Sequence, residues 1–401
     1  MKVGILHAGG FTVVTLLGLL GCPEAAAAGN HHYSIDLGVG AGIATNPFLQ
    51  SPSKSGAYVD LRLDPQATFN SERSTTLFTG QFDLRRYLNH LGSSANYGVH
   101  VHRTTRSSER LTLEANLAFT SSKNDERRFN GLYAGPQTAL PGGFTIDPLG
   151  ALLTPRQRQT VVSGQFQGTV RLNDLETASL GVFGDREIIS NSPIPANLWT
   201  FGTNAQYHRA LSPLTTIGAG LNVHRLTYDA GAGGYTIIKP QFLFKRQFSS
   251  LWEVNGSVGA LVVNGASFGQ SRKLFSVSGE VTACRAGTIS SICATISQDA
   301  GGSGVGGLRV AKSASVSYSR KAGLNDRLSL NSTISRFGSG SLPGARPATQ
   351  WQVGGRWERK ISERLRAVAD LGYRHESLAR SGTASDIFAR LGVSLRVGEV
   401  K

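Results

Sequence analysis

Along most of this chain apolar and polar residues alternate one by one. In residues 386–397, Ile387, Ala389, Leu391, Val393, Leu395 and Val397 share one parity and Arg390, Ser394 and Arg396 the other. In 364–377, Leu365, Ala367, Ala369, Leu371 and Tyr373 oppose Arg366, Asp370 and Arg374. Residues 110–121 set Leu111, Leu113, Ala115, Leu117 and Phe119 against Thr112, Glu114 and Asn116, and 308–320 follow the same rule. A period of two is the mark of a β-strand with unlike faces. Short polar clusters punctuate the runs: Ser71-Glu72-Arg73, Ser107-Ser108-Glu109-Arg110, Asn173-Asp174-Leu175, Ser212-Pro213-Leu214, Ser249-Ser250-Leu251, Asn325-Asp326-Arg327 and Ser362-Glu363-Arg364. They recur about every 37 residues, which leaves room for two strands of roughly 12 residues, one tight turn and one looser loop.

The pattern places strand pairs near 34–44 and 57–69, 75–87 and 94–106, 110–121 and 158–172, 176–187 and 198–210. Further pairs fall near 214–228 and 235–248, 252–263 and 273–284, 290–297 and 308–320, 327–337 and 349–361, 364–377 and 386–397. This is an all-β, up-and-down antiparallel transmembrane β-barrel of about 18 strands. The strand near Ser290, which runs into Gly301-Gly302-Ser303-Gly304, is the weakest, so about 16 is the fallback count. A strand of about 12 residues, tilted by about 40°, reaches ~30 Å, enough to cross the apolar band. A soluble β-sandwich also alternates. Strand length, the turn repeat and an export leader together favour the barrel. The longest predicted loop, about 122–156, is rich in Gly and Pro and is expected either outside the membrane or folded inward.

Composition adds the compartment. The chain has 401 residues, 49 of them Gly, and 17% are charged. No apolar run reaches the ~18 residues of a spanning helix. Residues 1–28 read as a cleaved signal peptide: Lys2, an apolar core from Phe11 to Leu20, then Ala25 to Ala28. Residues 29–401 are then the barrel, in the outer membrane of a Gram-negative bacterium. Leu19-Leu20-Gly21-Cys22 resembles a lipoprotein cleavage box, which leaves open whether Cys22 is lipidated or removed. Cys284 and Cys293 remain, in an oxidising compartment, and are expected to form a disulfide stapling the turn missing from the series. The net charge is +15. It favours anionic partners, namely outer-membrane lipid, lipopolysaccharide and acidic polysaccharide; nucleic acid, which an exported protein rarely meets, is not expected.

No catalytic set, metal site or cofactor motif emerges. His100 and His102 share a strand face but lack further ligands. There is no G-x-S-x-G, and Gly38-Val39-Gly40-Ala41-Gly42 lies within a strand with no helix after it, so it is no dinucleotide loop. The chemistry lies in cations. Arg62, Arg85, Arg171, Lys245, Arg309, Arg356, Arg366, Arg374, Arg390 and Arg396 all fall on polar faces. Facing lipid near the midplane, each would cost about 2–4 kcal/mol, so they belong in the lumen. Asp60, Asp64, Asp83, Glu114, Glu358 and Asp370 share those faces. The cations are therefore either wall braces or an anion path, and the positive excess is expected to survive pairing. Tyr97, Tyr207, Trp199 and Trp357 are expected as interfacial girdle or sugar-stacking surfaces.

The run Gly38-Val39-Gly40-Ala41-Gly42-Ile43-Ala44-Thr45-Asn46-Pro47-Phe48, with its N-x-F turn, resembles the first strand of a family of outer-membrane β-barrel porins. That family is often linked to capsule or exopolysaccharide loci in Gram-negative bacteria. The Ser/Asn-Asp/Glu-Arg/Leu turns resemble it too, and the likeness covers about residues 30–398. The chain departs from the usual pattern by ending Val397-Gly398-Glu399-Val400-Lys401, with Phe388 as the last strand's aromatic. The resemblance implies a channel exporting an anionic exopolysaccharide, with periplasmic or inner-membrane export components as partners. A general anion-preferring porin and a non-transport scaffold or adhesin are the alternatives. An enzyme is not expected.

Overall fold

The computed structural model describes residues 31–49, 53–88, 91–123, 158–190, 197–229, 233–267, 270–302, 308–338, 347–378 and 382–398. The leader, Cys22 and almost all of the predicted 122–156 loop lie outside the described residues. The described residues form strands β1 (His31–Ala44), β2 (Gly56–Asn70), β3 (Ser74–Tyr87), β4 (Ser93–Arg106), β5 (Leu111–Lys123) and β6 (Arg158–Arg171). There follow β7 (Glu176–Ile189), β8 (Leu198–Ser212), β9 (Thr215–Tyr228), β10 (Gly233–Gln247), β11 (Trp252–Ser267) and β12 (Gln270–Ala286). The last are β13 (Ser290–Gly302), β14 (Leu308–Lys321), β15 (Asp326–Phe337), β16 (Ala348–Lys360), β17 (Leu365–Leu378) and β18 (Gly382–Gly398).

Each strand pairs antiparallel with its sequence neighbours, and β18 returns to β1 with Ser34 opposite Gly398 and Ala44 opposite Phe388. The sheet is therefore a closed 18-stranded barrel. The weak segment near Ser290 forms a full strand, and the fallback count of 16 falls away. Closure leaves no edge from end to end of the seam, which is what a sheet in hydrocarbon requires.

Alternation sorts the two faces. Leu180, Phe201, Phe242, Val258, Phe275, Ile296, Leu371 and Leu391 are all exposed and point outward, forming an apolar belt. Only lipid covers such a surface favourably. The short turns, such as Ser71–Arg73 and Ser362–Arg364, gather at the rim that also carries His31 and Gly398, the periplasmic rim by the usual rule. Side-chain hydroxyls close these turns: Ser74 N and Leu365 N donate to Ser71 Oγ (3.0 Å) and Ser362 Oγ (3.1 Å). This is why Ser and Asn recur there. Cys284 and Cys293 lie opposite one another in the β12–β13 register and are joined as a disulfide beside the Gly287–Ile289 turn.

Tyr97 and Trp199 point outward near the extracellular rim, and Tyr207 and Trp357 near the periplasmic one. All four belong to the interfacial girdle, which removes sugar stacking in the lumen as their role. Phe388 points inward and is buried, because Gly372 across the strand pair leaves room for its ring.

Candidate functional site

The barrel interior is the candidate site, and its wall is braced by ion pairs. Arg390 on β18 reaches across β1 to Asp60 on β2 (2.8 Å) and also meets Asp370 on β17 (3.1 Å). β1 lies between them. A Cβ at Gly40 would stand 2.7 Å from Asp60 Oδ1 and 2.8 Å from Arg390 Nε. The glycine run of β1 thus clears the floor on which this bridge lies. Arg356 holds the other side of Asp370 (2.8 Å), and Arg396 pairs with Asp36 directly opposite on β1 (2.6 Å). Arg62 meets Asp64 (2.5 Å), and Lys245 meets Glu253 (3.1 Å). Arg85 stacks over the Tyr58 ring at 4.4 Å.

The N-x-F turn folds into the extracellular half. Asn46 N donates to Asp386 Oδ1 (2.8 Å), and Arg374 donates to both Asp386 (2.8 Å) and the Pro47 carbonyl (3.0 Å). Phe48 is thereby placed among Tyr58, Tyr87 and Phe388. Leu49 has φ 47°, the left-handed region, where the chain turns back out. Arg374 and Asp386 are 1% and 0% exposed, so this pair anchors the turn and does not meet solute.

A second segment enters from the opposite wall. β13 keeps β12 only as far as Gly279↔Gln298, although β13 and β14 stay paired up to Gly302↔Leu308. Ala300 and Leu308 pack in one apolar cluster with Leu198, Leu226, Tyr235, Ile237, Leu261 and Val263, inward residues of β8–β11. Lys239 on β10 donates to Asp299 at 2.8 Å. Within the wall, β10 and β13 would be three strands apart, about 14 Å at ~4.8 Å per strand, beyond the joint reach of a lysine and an aspartate. The adjoining ends of β13 and β14, at Asp299, Ala300 and Leu308, have therefore left the wall and lie inside the barrel. Arg309, on this hairpin, is 4% exposed.

The periplasmic mouth differs. Lys321 faces Arg327, and Lys360 faces Arg366, in directly opposed cross-strand pairs on the inner side. Arg106 and Arg171 end β4 and β6 on the same face. Lys360 is tied to Glu363 of the turn (2.7 Å). Among the described residues, Arg106, Arg171, Lys321, Arg327 and Arg366 have no carboxylate within ion-pair distance. Like charges set opposite one another oppose folding of the sheet. Arg327 faces Glu358 across its other strand pair and Lys360 has Glu363, so the facings are compensated in part, while Lys321 and Arg366 stay without a carboxylate among the described residues.

Of the cations expected in the lumen from sequence, Arg309 lies on the inward hairpin and the other nine on the inner face of the wall. Arg171 and Arg366 stand at the basic mouth; Arg62, Lys245, Arg356, Arg374, Arg390 and Arg396 are bound to carboxylates. The positive excess does not run along the lumen: among described residues, inward carboxylates nearly match inward cations. Much of the excess points outward at the two rims, as with Arg246, Arg285 and Arg320 below and Arg86, Arg225 and Arg336 above. At that depth the lipid-facing cost falls to about 0–1 kcal/mol. One such rim group, Arg186, lies 4.5 Å from the Trp199 ring centre and donates to Asp229 (2.7 Å). The guanidinium holds the Asp229 carboxyl below the usual carboxylate range. Sequence reasoning missed Arg106, Lys321, Arg327 and Lys360; carrying the alternation to the residues on either side of each turn finds them. His102 has both ring nitrogens engaged, with Asn116 (2.6 Å) and Thr104 (3.0 Å).

The closed barrel and its apolar outer belt fix the compartment. The chain is an integral outer-membrane β-barrel. No family model and no curated relative matches it. Among solved structures it is similar to OpdL of Pseudomonas aeruginosa, with 10% identity and TM-score 0.48 over 92% of this chain and 99% of that one. It is similar to the outer membrane protein OpdK of the same organism (11%, 0.46, 92% and 99%). It is also similar to a BenF-like porin of Pseudomonas fluorescens (10%, 0.46, 92% and 99%).

Proposed function

We propose that the barrel is a passive channel for small water-soluble solutes, with a preference for anions set at its periplasmic mouth. The observation that carries this reading is the pair of like-charge facings, Lys321 with Arg327 and Lys360 with Arg366. An excess of one sign around a hydrated mouth concentrates counter-ions there. Selectivity rests there, since the cations farther up are neutralised by their own carboxylates.

Planar-bilayer recording under a KCl gradient tests it. The native channel is expected to favour chloride, and Arg171→Ser/Lys321→Ser/Arg366→Ser to bring the reversal potential toward zero. An unchanged reversal potential removes the mouth from the path. A sealed lumen would favour the scaffold or adhesin reading over any channel.

Export of an acidic polysaccharide is a second reading, favoured by the same feature: the basic mouth faces the compartment from which a polymer would come. The two segments folded into the extracellular half weigh against a thick chain. A deletion strain separates the readings. Polymer stranded in the periplasm supports export, with export components as partners; normal surface polymer removes it.

A further inference from the structure

Among the described residues, no strand pairs with β12 above Gly279 on the side that β13 leaves. Above Gly279, β12 keeps β11 as far as Ser267↔Gln270, but its ladder with β13 has ended. The Val277 carbonyl accepts from the Gln298 side-chain amide at 2.7 Å, and Ser276 Oγ accepts from the same group at 3.2 Å. A side chain stands where a backbone N–H of β13 would have been. Unpartnered backbone in hydrocarbon is costly, so a gap of this kind is stable only where water or a solute reaches it.

The chemistry around the gap is apolar on both sides. Outside, Phe275 and Val277 are 76% and 60% exposed, and Ile296, opposite Val281 just below the gap, is exposed too. On β12 the apolar stretch of the outer face runs between Lys273 and Arg285, so Phe275 and Val277 fall within the belt. Inside, Leu274 and Val310 pack against the cluster that holds Leu261 and Leu308. Apolar surface thus continues from the bilayer through the wall to the lumen, whereas the β16–β18 sector of the inner face carries charge.

We propose that the gap between β12 and β13 is a lateral portal, through which a single-chain amphiphile passes between the lumen and the outer leaflet. Its tail follows Phe275, Val277 and Leu274, while its head stays in the polar lumen. This goes beyond the channel reading, which needs no opening in the wall.

The probe is laurate carrying a terminal diazirine, added to proteoliposomes of phosphatidylethanolamine and phosphatidylglycerol. After irradiation, peptide mapping is expected to find label on the inward, partly buried Leu274 or Val310 as well as on the outward Phe275. Label confined to outward residues overturns the portal. Positions 277 and 300 would face each other if the register continued past Gly279. Oxidising Val277→Cys/Ala300→Cys therefore zips the gap, and interior label is expected to be lost and to return on reduction. Interior label unchanged by oxidation means entry through the pore mouth and also overturns it. Should the pair not oxidise, Ser276→Arg provides the same test, with loss of interior label expected and its persistence fatal. Conductance of the same preparations reports on the channel reading separately: interior labelling can fail while conductance persists.

Discussion

At the scale of single residues, the lumen arginines divide into those that hold the wall and those with no carboxylate in reach among the described residues. Asp370 is 3% exposed and sits between Arg356 and Arg390. Removing it leaves two guanidinium groups without that partner in a buried network, a loss of about 3 kcal/mol or more. Asp370→Ala is therefore expected to unfold at clearly lower urea than the native barrel, while Asp64→Ala, at a pair whose side chains are 26% and 29% exposed, is expected to shift by less. Gly40→Val is expected to destabilise for a different reason, since its side chain must displace the Arg390–Asp60 bridge. Heat-modifiable gel mobility in detergent checks all three; equal shifts for Asp370→Ala and Asp64→Ala would refute the distinction. Substituting Arg374 or Arg390 thus reports on stability, and Arg366 is the informative position for selectivity. Sequence alternation assigns every one of these residues to the polar face. It does not reveal which cation has a carboxylate one or two strands away, because register across β18, β1 and β2 joins residues some 330 positions apart.

At the scale of elements, strand number, strand ends and turn chemistry were legible because each strand carries its own period and each turn its own hydroxyl or amide. The Asn46-Pro47-Phe48 motif was legible as a motif, but its inward fold depends on Asp386 and Arg374, contributed from the far end of the chain. The β13–β14 hairpin was the least legible element. Its residues alternate like any wall strand, and alternation says nothing about where a neighbour is abandoned. The Lys239–Asp299 contact and the apolar cluster decide the matter in space. If that ion pair holds the hairpin in the lumen, Asp299→Ala should loosen it. The expected outcome in planar bilayers is a larger or noisier single-channel conductance than the native protein shows. Asp299→Asn, which keeps a hydrogen-bond acceptor for Lys239, is expected to lie between the two. Identical conductance in all three would mean that the apolar packing alone fixes the hairpin.

At the scale of the whole molecule, the charge of +15 is arranged rather than spread. The midsection is close to neutral by internal pairing, the outer rims carry arginines at headgroup depth, and the inward cations without a carboxylate in reach among the described residues collect at the periplasmic rim. Such an arrangement makes selectivity a property of one end. Fixed charges at a wide, hydrated mouth act over a Debye length of about 10 Å at 0.1 M salt and about 3 Å at 1 M. The field of Arg106, Arg171, Lys321, Arg327 and Arg366 therefore spans much of the opening in dilute salt and little of it in concentrated salt. Chloride preference is expected to be clear at 0.1 M KCl and to fade toward none at 1 M. The triple substitution of Arg171, Lys321 and Arg366 should remove the dilute-salt preference while leaving conductance at 1 M nearly unchanged. Charges buried in a narrow, dry constriction would be screened far less. A preference that persists undiminished at 1 M would therefore move the selecting element from the mouth to the inward hairpin, and Arg309 would become the residue to replace.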